Sequence, residues 1–247
     1  MMRILVTRPR SQADSFLDGL RVAGFEPVCF PVIEIRPIEQ NPELDEALHR
    51  IQQYDWVVFT SVNGVDVVFS RLPAQATLPR VAAIGPKTAA ALRRRGVEPE
   101  FVPQEYVAES IMPGLGDVRG KQVLLPRAEI ARKALPEAIR AAGGRAHEIA
   151  VYQTLPAQPD PAGLEALKVG VDWITFTSPS TVENFVELVR RQGLEPFQLA
   201  GRPRFACIGP ITERAAREAG FEVALVADNY TTEGLTRALG ATLKVKG

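Results

Sequence analysis

The chain has 247 residues, a formal net charge of zero, and 46 % hydrophobic and 23 % charged residues, which suits one large globular domain or two of about 120 residues with ample core. A neutral balance gives no global field for nucleic acid or an anionic membrane, and no stretch approaches the roughly 18 consecutive apolar residues of a membrane span. The start, Met1-Met2-Arg3-Ile4-Leu5-Val6-Thr7-Arg8, lacks the long apolar region of a signal peptide, so a cytoplasmic protein is the expectation.

In chain order, Arg3 to Thr7 reads as a first strand, closed by Arg8-Pro9. Ala13, Phe16, Leu17 and Leu20 fall on one face of a helix, with Gly24 placed as its stop. Pro27 to Phe30 is a second strand. Pro31 to Pro42 is proline-rich and extended, a connector rather than an element. Leu44, Ala47, Leu48 and Ile51 form a helical stripe. The strand Asp55–Thr60 follows, then a helix through Val65, Val68 and Phe69. Val81–Ile84 is a strand, Gly85-Pro86 opens a helix with proline in its favoured first position, and Gly96 ends it. Glu100–Val102 is a short strand and Val107–Leu115 a helix.

The pattern then restarts. Pro126-Arg127 stands against Thr7-Arg8, Ala142-Gly143 against Ala23-Gly24, and Val151-Tyr152 against Val32-Ile33, each pair 119 residues apart. Asp172-Trp173-Ile174-Thr175-Phe176-Thr177-Ser178 follows Asp55-Trp56-Val57-Val58-Phe59-Thr60-Ser61 by 117, sharing Asp, Trp, Phe, Thr and Ser. Ile208-Gly209-Pro210 and Thr212 follow Ile84-Gly85-Pro86 and Thr88 by 124, as Tyr230 follows Tyr106. A period near 120 is too long for a solenoid unit and marks a duplicated domain. Alternation of strand and helix predicts a doubly wound parallel sheet of about five strands in each copy. The simplest boundary is Gly116–Gly120. The proline-rich stretches Pro31–Pro42 and Thr154–Pro161, at equivalent points of the repeat, offer another: if both connect domains, the first strand–helix–strand of each copy packs with the remainder of the other.

Two cysteines, Cys29 and Cys207, sit in apolar segments as buried free thiols, and with His49 and His147 as the only histidines no zinc spacing exists. A Ser-His-Asp or Cys-His catalyst is equally poorly supplied. There is no phosphate-binding glycine loop; Gly114, Gly116 and Gly120 have the wrong spacing and follow a helix. The chemistry-bearing positions lie instead at the strand ends, where ligands bind in open α/β sheets. Either Asn63 and Ser180 cap the helices after the repeated strands, leaving Thr60-Ser61 and Thr177-Ser178 to face a ligand, or Ser178 itself caps with Pro179 at the first helical position. Both readings leave a helix N-terminus suited to a carboxylate or a phosphate. Gly85-Pro86 and Gly209-Pro210 repeat this geometry one strand over, with Thr88 and Thr212 in the first turn and Lys87 adding a cation where the second copy has Ile211. Arg8 and Arg127 each end the first strand of their copy. Tyr152, whose repeat partner is Ile33, lies just after the strand Ile149–Val151, either as a half-buried aromatic or as a proton donor.

Together these stretches resemble the uroporphyrinogen-III synthase family. The resemblance is carried by Leu5-Val-Thr-Arg-Pro9, Phe59-Thr-Ser-Val-Asn-Gly64, Ile84-Gly-Pro-Lys-Thr88, Val151-Tyr-Gln-Thr154, Phe176-Thr-Ser-Pro-Ser180 and Ile208-Gly-Pro-Ile-Thr212, in the family's order over nearly the whole chain. It implies two similar flavodoxin-like α/β domains, one of residues 1–34 and 158–247 and one of residues 37–152, joined by a two-stranded hinge at about 33–38 and 152–158. It implies a cofactor-free, metal-free lyase that closes linear hydroxymethylbilane, held between the domains, into uroporphyrinogen III with loss of water and inversion of the terminal pyrrole. By the same resemblance, Tyr152 assists the departing hydroxyl. Substrate carboxylates meet Arg8, Thr60, Ser61, Asn63, Gly85, Lys87, Arg127, Thr177, Ser178, Gly209 and Thr212. The implied partners are the tetrapyrrole and, transiently, hydroxymethylbilane synthase, with no nucleic acid or membrane and a monomeric state.

Two other readings use duplicated α/β domains. A binding module like the periplasmic binding proteins would need an export signal, and a cofactor-independent amino-acid racemase would need one thiol per half at matched positions; Cys29 is matched instead by Glu148 and Cys207 by Ala83.

Overall fold

Short apolar runs joined through amphipathic helices form parallel strands, because a crossover helix returns the chain to the same end of the sheet. In the computed structural model, which describes residues 1–73, 75–104 and 108–244, the first copy runs β1 (Arg3–Val6), α1 (Asp14–Val22), β2 (Glu26–Cys29), β3 (Ile33–Pro37), α2 (Pro42–His49), β4 (Trp56–Phe59), α3 (Val62–Arg71), β5 (Arg80–Ala83), α4 (Pro86–Arg94) and α5 (Met112–Leu115). The second runs β6 (Gln122–Ala128), α6 (Ala134–Ala141), β7 (Arg145–Pro156), α7 (Pro161–Val169), β8 (Trp173–Phe176), α8 (Pro179–Arg191), β9 (Arg204–Cys207), α9 (Pro210–Glu218), β10 (Val223–Val226) and α10 (Thr232–Lys244). Tyr106, the repeat counterpart of Tyr230, and Val107, where the sequence pattern starts a helix, lie outside the described residues.

The strands form two five-stranded sheets, ordered β10-β9-β8-β1-β2 and β3-β7-β6-β4-β5. The first is parallel throughout, with Ile4 beside Trp173 and Val6 beside Thr175. In the second, β7, β6, β4 and β5 are parallel. β3 runs against β7: Ile38 N–H donates to the Val151 carbonyl and Ala157 N–H to the Val32 carbonyl, so one strand advances as the other recedes. The chain divides into two compact units, residues 1–34 with 155–247, and residues 35–154. Because β4 and β6 are neighbours in one sheet, no boundary falls at Gly116–Gly120.

Each unit buries both faces of its sheet, as parallel sheets require. In the unit of residues 35–154, Val57 and Phe59 pack on one face with Val65, Val68 and Leu92, and Trp56 and Val58 on the other with Leu135 and Ile139. The other unit repeats this with Ile174, Phe176, Phe185 and Phe221 on one side and Trp173, Ile4, Phe16 and Leu239 on the other.

The identical residues of the two copies have structural duties that the sequence does not disclose. Asp55 Oδ2 accepts from Gln122 N–H at 2.8 Å and Asp172 Oδ2 from Arg3 N–H at 2.7 Å, each tying the entry of its neighbouring strand. Trp56 lies under the Arg80 guanidinium at 4.1 Å and Trp173 under Arg204 at 4.0 Å, a cation–π pair at the same place in both copies.

Three expectations are corrected. Pro31–Pro42 contains a true strand, β3, because the prolines bracket Ile33–Pro37 and leave its interior amides available for pairing. Glu100–Val102 makes only an isolated bridge, Phe101 to Ala82. Tyr152 lies inside β7 rather than after it, since β7 continues to Pro156.

Candidate active site

In the unit of residues 35–154, β4 ends at Phe59 and the chain turns through Thr60 into α3. Ser61 is extended (φ −158°, ψ 155°) and its Oγ accepts from Gly64 N–H at 3.0 Å, so Ser61 is the N-cap. Asn63 therefore sits inside the helix rather than capping it: the helix begins one residue before Asn63. Gly64 fits a tight space. A Cβ there would lie 3.0 Å from the Pro126 carbonyl oxygen and 3.3 Å from Ser61 Oγ, so the first turn of α3 presses on β6.

Tyr152 reaches this turn from β7, donating its hydroxyl to Ser61 Oγ at 3.1 Å while only 7 % exposed. A register shift brings it there. Along β6 and β7, Arg127 pairs with Ala150 but Ala128 pairs with Tyr152. The extra residue, Val151, lets two consecutive side chains, Val151 and Tyr152, join the same core cluster. Bulges re-aim side chains in this way and recur beside active sites.

Arg127 stands close by but is turned inward, 7 % exposed, with Nη1 on Glu148 Oε2 at 3.2 Å and Nη2 donating to the Arg132 carbonyl. Burial pushes its guanidinium pKa down, against the charge of Glu148 and its hydrogen bond. Glu148 also takes Lys133 Nζ at 3.1 Å and Arg140 Nη2 at 2.8 Å. Burial alone would raise its carboxyl; the hydrogen bonds from Arg140 and Lys133 and the charges of Lys133 and Arg127 hold it below the usual carboxylate range. One strand over, Gly85 caps α4 through an extended backbone (φ −170°), with Lys87 exposed and Thr88 buried in the first turn.

In the other unit, Ser178 caps α8 with Pro179 at the first helical position, so of the two readings open in the sequence the structure selects Ser178 over Ser180. The partner in the capping box is Thr181. Ser178 Oγ accepts from Thr181 N–H at 3.3 Å, and Thr181 Oγ1 accepts from the Thr177 and Ser178 amides, both at 3.2 Å. The amides at this strand end are thus closed by the protein's own hydroxyl. Ser178 Oγ also bonds Ser180 Oγ at 3.0 Å. Gly209 caps α9, and its missing side chain admits Tyr230, whose ring would stand 3.0 Å from a Cβ there. Thr212 is buried. Arg8 follows β1, with Nη2 on Gln12 Oε1 at 2.9 Å; burial lowers its guanidinium pKa and Glu233 opposes that.

The structure thus joins Tyr152 directly to Ser61 and joins Thr177 to Ser178 through Thr181. Thr60, Asn63, Gly85, Lys87 and Arg127 fall in the unit with Tyr152; Arg8, Gly209 and Thr212 fall in the unit with Ser178. Sequence reasoning misses Glu148 and Thr181. Their only signal is a contrast within the repeat, Glu148 against Cys29 and Thr181 against Gly64.

The remaining titratable groups have local partners. His147 bonds Tyr54 Oη at 2.5 Å and Glu43 at 3.0 Å, and His49 bonds the Asp45 carbonyl. Burial raises both thiols, Cys207 to about 12, which leaves them poor nucleophiles. Among the described residues no cluster of His, Cys, Asp and Glu is placed to hold a metal, and no helix is long and apolar enough to cross a membrane.

Residues 14–237 match a family model described as uroporphyrinogen-III synthase HemD. The chain belongs to the uroporphyrinogen-III synthase family. It is 33 % identical to the uroporphyrinogen-III synthase of Synechococcus elongatus, over 96 % of this chain and 93 % of that one. It is 30 % identical to that of Chlorobaculum parvum, over 99 % of this chain and the whole of the other. The crystal structure of a mutant uroporphyrinogen III synthase from the extremely thermophilic bacterium Thermus thermophilus superposes with a TM-score of 0.66 at 24 % identity, covering 99 % of this chain and all of that one, which shows a shared fold. Membership in the synthase family leaves the binding-module and racemase readings without support.

Proposed function

We propose that this chain is a uroporphyrinogen-III synthase acting as a lyase without a cofactor: it takes linear hydroxymethylbilane, removes its hydroxyl as water, and closes the ring with inversion of the terminal pyrrole. The observation that carries the chemistry is the Tyr152 hydroxyl, aimed at the N-terminus of α3 and bonded to Ser61 at 3.1 Å. It supplies a proton at a strand edge where, among the described residues, no histidine or low-pKa thiol stands. Carboxylates are the ligand class for both edges. In one unit they meet the N-termini of α3 and α4 with Thr60, Ser61, Asn63, Gly85 and Lys87; in the other they meet Arg8, Gly209 and Thr212 together with the hydroxyls of Thr177 and Ser178, whose amides Thr181 already takes. Arg127 is best read as support for this surface, since Glu148 and the Arg132 carbonyl already hold it.

The paired strands β3 and β7 support a hinge at about 33–38 and 152–158 between domains of residues 1–34 with 158–247 and 37–152. A cytoplasmic monomer that receives substrate directly from hydroxymethylbilane synthase completes the reading. Because the free bilane closes spontaneously without inversion, the protein's main task is to hold the terminal ring in the productive orientation. The test is to supply freshly generated hydroxymethylbilane and separate the oxidised products by isomer. The type III isomer should dominate; type I alone, at the spontaneous rate, would refute the assignment.

A further inference from the structure

A hydroxyl has one proton to give and two lone pairs to fill. At Ser61 both lone pairs are taken, by Gly64 N–H at 3.0 Å and by the Tyr152 O–H at 3.1 Å. The remaining valence of Ser61 is its own proton. Tyr152 is the reverse case: its proton is committed to Ser61, and the residue is only 7 % exposed. Ser61 is the less buried of the two and stands at the first turn of α3. The hydroxyl with a proton to donate is therefore the serine.

Resting on the synthase reading, we propose that Ser61 hands the proton to the departing hydroxyl of the substrate and that Tyr152 replenishes Ser61 through their hydrogen bond. The electron pair on the pyrrole nitrogen forms the azafulvene cation as the C–O bond breaks, and that bond's pair leaves with the oxygen. The oxygen takes the Ser61 proton and departs as water, while Ser61 Oγ takes the proton of Tyr152. The resulting phenolate has the Arg127 guanidinium close enough for charge interaction, itself held by Glu148. The phenolate is reprotonated at the end of the sequence: the spirocyclic intermediate opens to an azafulvene cation, the unsubstituted α-carbon of the inverted pyrrole attacks it to close the macrocycle, and the proton that carbon loses as the ring regains aromaticity restores Tyr152. The second copy has no such relay: Ser178 is bonded to Ser180 and Thr181, and Ile33 occupies the repeat position of Tyr152.

The test uses the full-length enzyme with hydroxymethylbilane and the variants Ser61→Asn, Ser61→Thr, Tyr152→Phe and the double Ser61→Asn/Tyr152→Phe. Asparagine keeps the helix cap and removes the hydroxyl; Ser61→Gly serves the same purpose if asparagine lowers the melting temperature. Groups acting in series lose rate together, not multiplicatively. Ser61→Asn and Tyr152→Phe should each lower kcat about 10²-fold, the double variant should fall no more than about threefold further, and Ser61→Thr should recover most of the rate. The solvent-deuterium proton inventory should be curved for the wild type and linear for Tyr152→Phe. A wild-type rate in Ser61→Asn, or losses that multiply to about 10⁴, would overturn the relay while the type III product leaves the synthase reading intact. Type I product alone from the wild type would overturn both.

Discussion

Ser61 and Ser178 stand at the same point of two copies of one strand–helix unit, yet their surroundings differ. Ser178 is enclosed by hydroxyls from its own helix: Thr181 takes the amides of Thr177 and Ser178, and Ser180 bonds the Ser178 side chain. At Ser61 the position of Thr181 is Gly64, which has no side chain to turn back, and a tyrosine from another strand takes up the serine instead. The first arrangement stabilises a helix end. The second presents a polarised hydroxyl pair at the same helix end. One copy thus closes its helix end with a local side-chain bond, and the other joins its serine to a tyrosine from a distant strand.

If that comparison is right, substitutions at the shared positions should act alike in both copies and substitutions at the differing positions should not. The largest effects fall on the shared tryptophans. Trp56→Ala and Trp173→Ala should each cost about 3–5 kcal/mol of stability by thermal or denaturant unfolding, because both side chains are fully buried; a loss below about 1 kcal/mol at either would mean that the two copies do not share a core. Next comes chemistry on one edge. Tyr152→Phe should lower kcat about 10²-fold with its melting temperature nearly unchanged, while turnover at the wild-type rate would remove the contrast between the edges altogether.

Arg8→Gln probes the opposite unit. Losing one charge-assisted contact to a carboxylate should raise KM roughly tenfold with kcat retained; a fall in kcat with constant KM would place chemistry on that edge too. Thr181→Ala removes the hydroxyl that closes the second helix end and should cost about 1–2 kcal/mol without altering the product isomer. The smallest effect is one of slope. Glu148 has a depressed folded-state pKa, so its contribution to stability is fully present above the ordinary carboxylate range and is lost as pH falls through that range towards the depressed value. The melting temperature of the wild type should therefore fall more steeply on acidification than that of Glu148→Gln, and parallel curves would show that the cluster around Arg127 adds no pH-dependent stability.

The duplication, the alternation of strand and helix, the helix starts at Gly85-Pro86 and Gly209-Pro210, and the family itself are all legible in the sequence. Hydrophobic periodicity and turn residues act over a few neighbours, and motif order survives divergence. The glycine stops are legible for the same reason: Gly24, Gly96, Gly143 and Gly220 take φ values from +80° to +100°, where other residues are strained. The sequence leaves the cap open between Ser178 and Ser180 because both residues can accept the same kind of amide bond, and only the backbone angles of the turn select one. The strand β3 is hidden because its pairing partner lies more than a hundred residues away in β7, and proline content alone suggests a connector. Tyr152 is recognisable as a differing position, but its bond to Ser61 depends on the bulge at Val151, which no local pattern encodes. Glu148 is invisible as a partner of Arg127, since that pairing arises only when β6 and β7 lie side by side in register. The sequence by itself determined most of the strands and helices and the duplication that relates them; the tertiary structure decided that β3 is a strand and which of two nearly identical helix ends receives a tyrosine hydroxyl, because both depend on which distant segment the sheet places alongside.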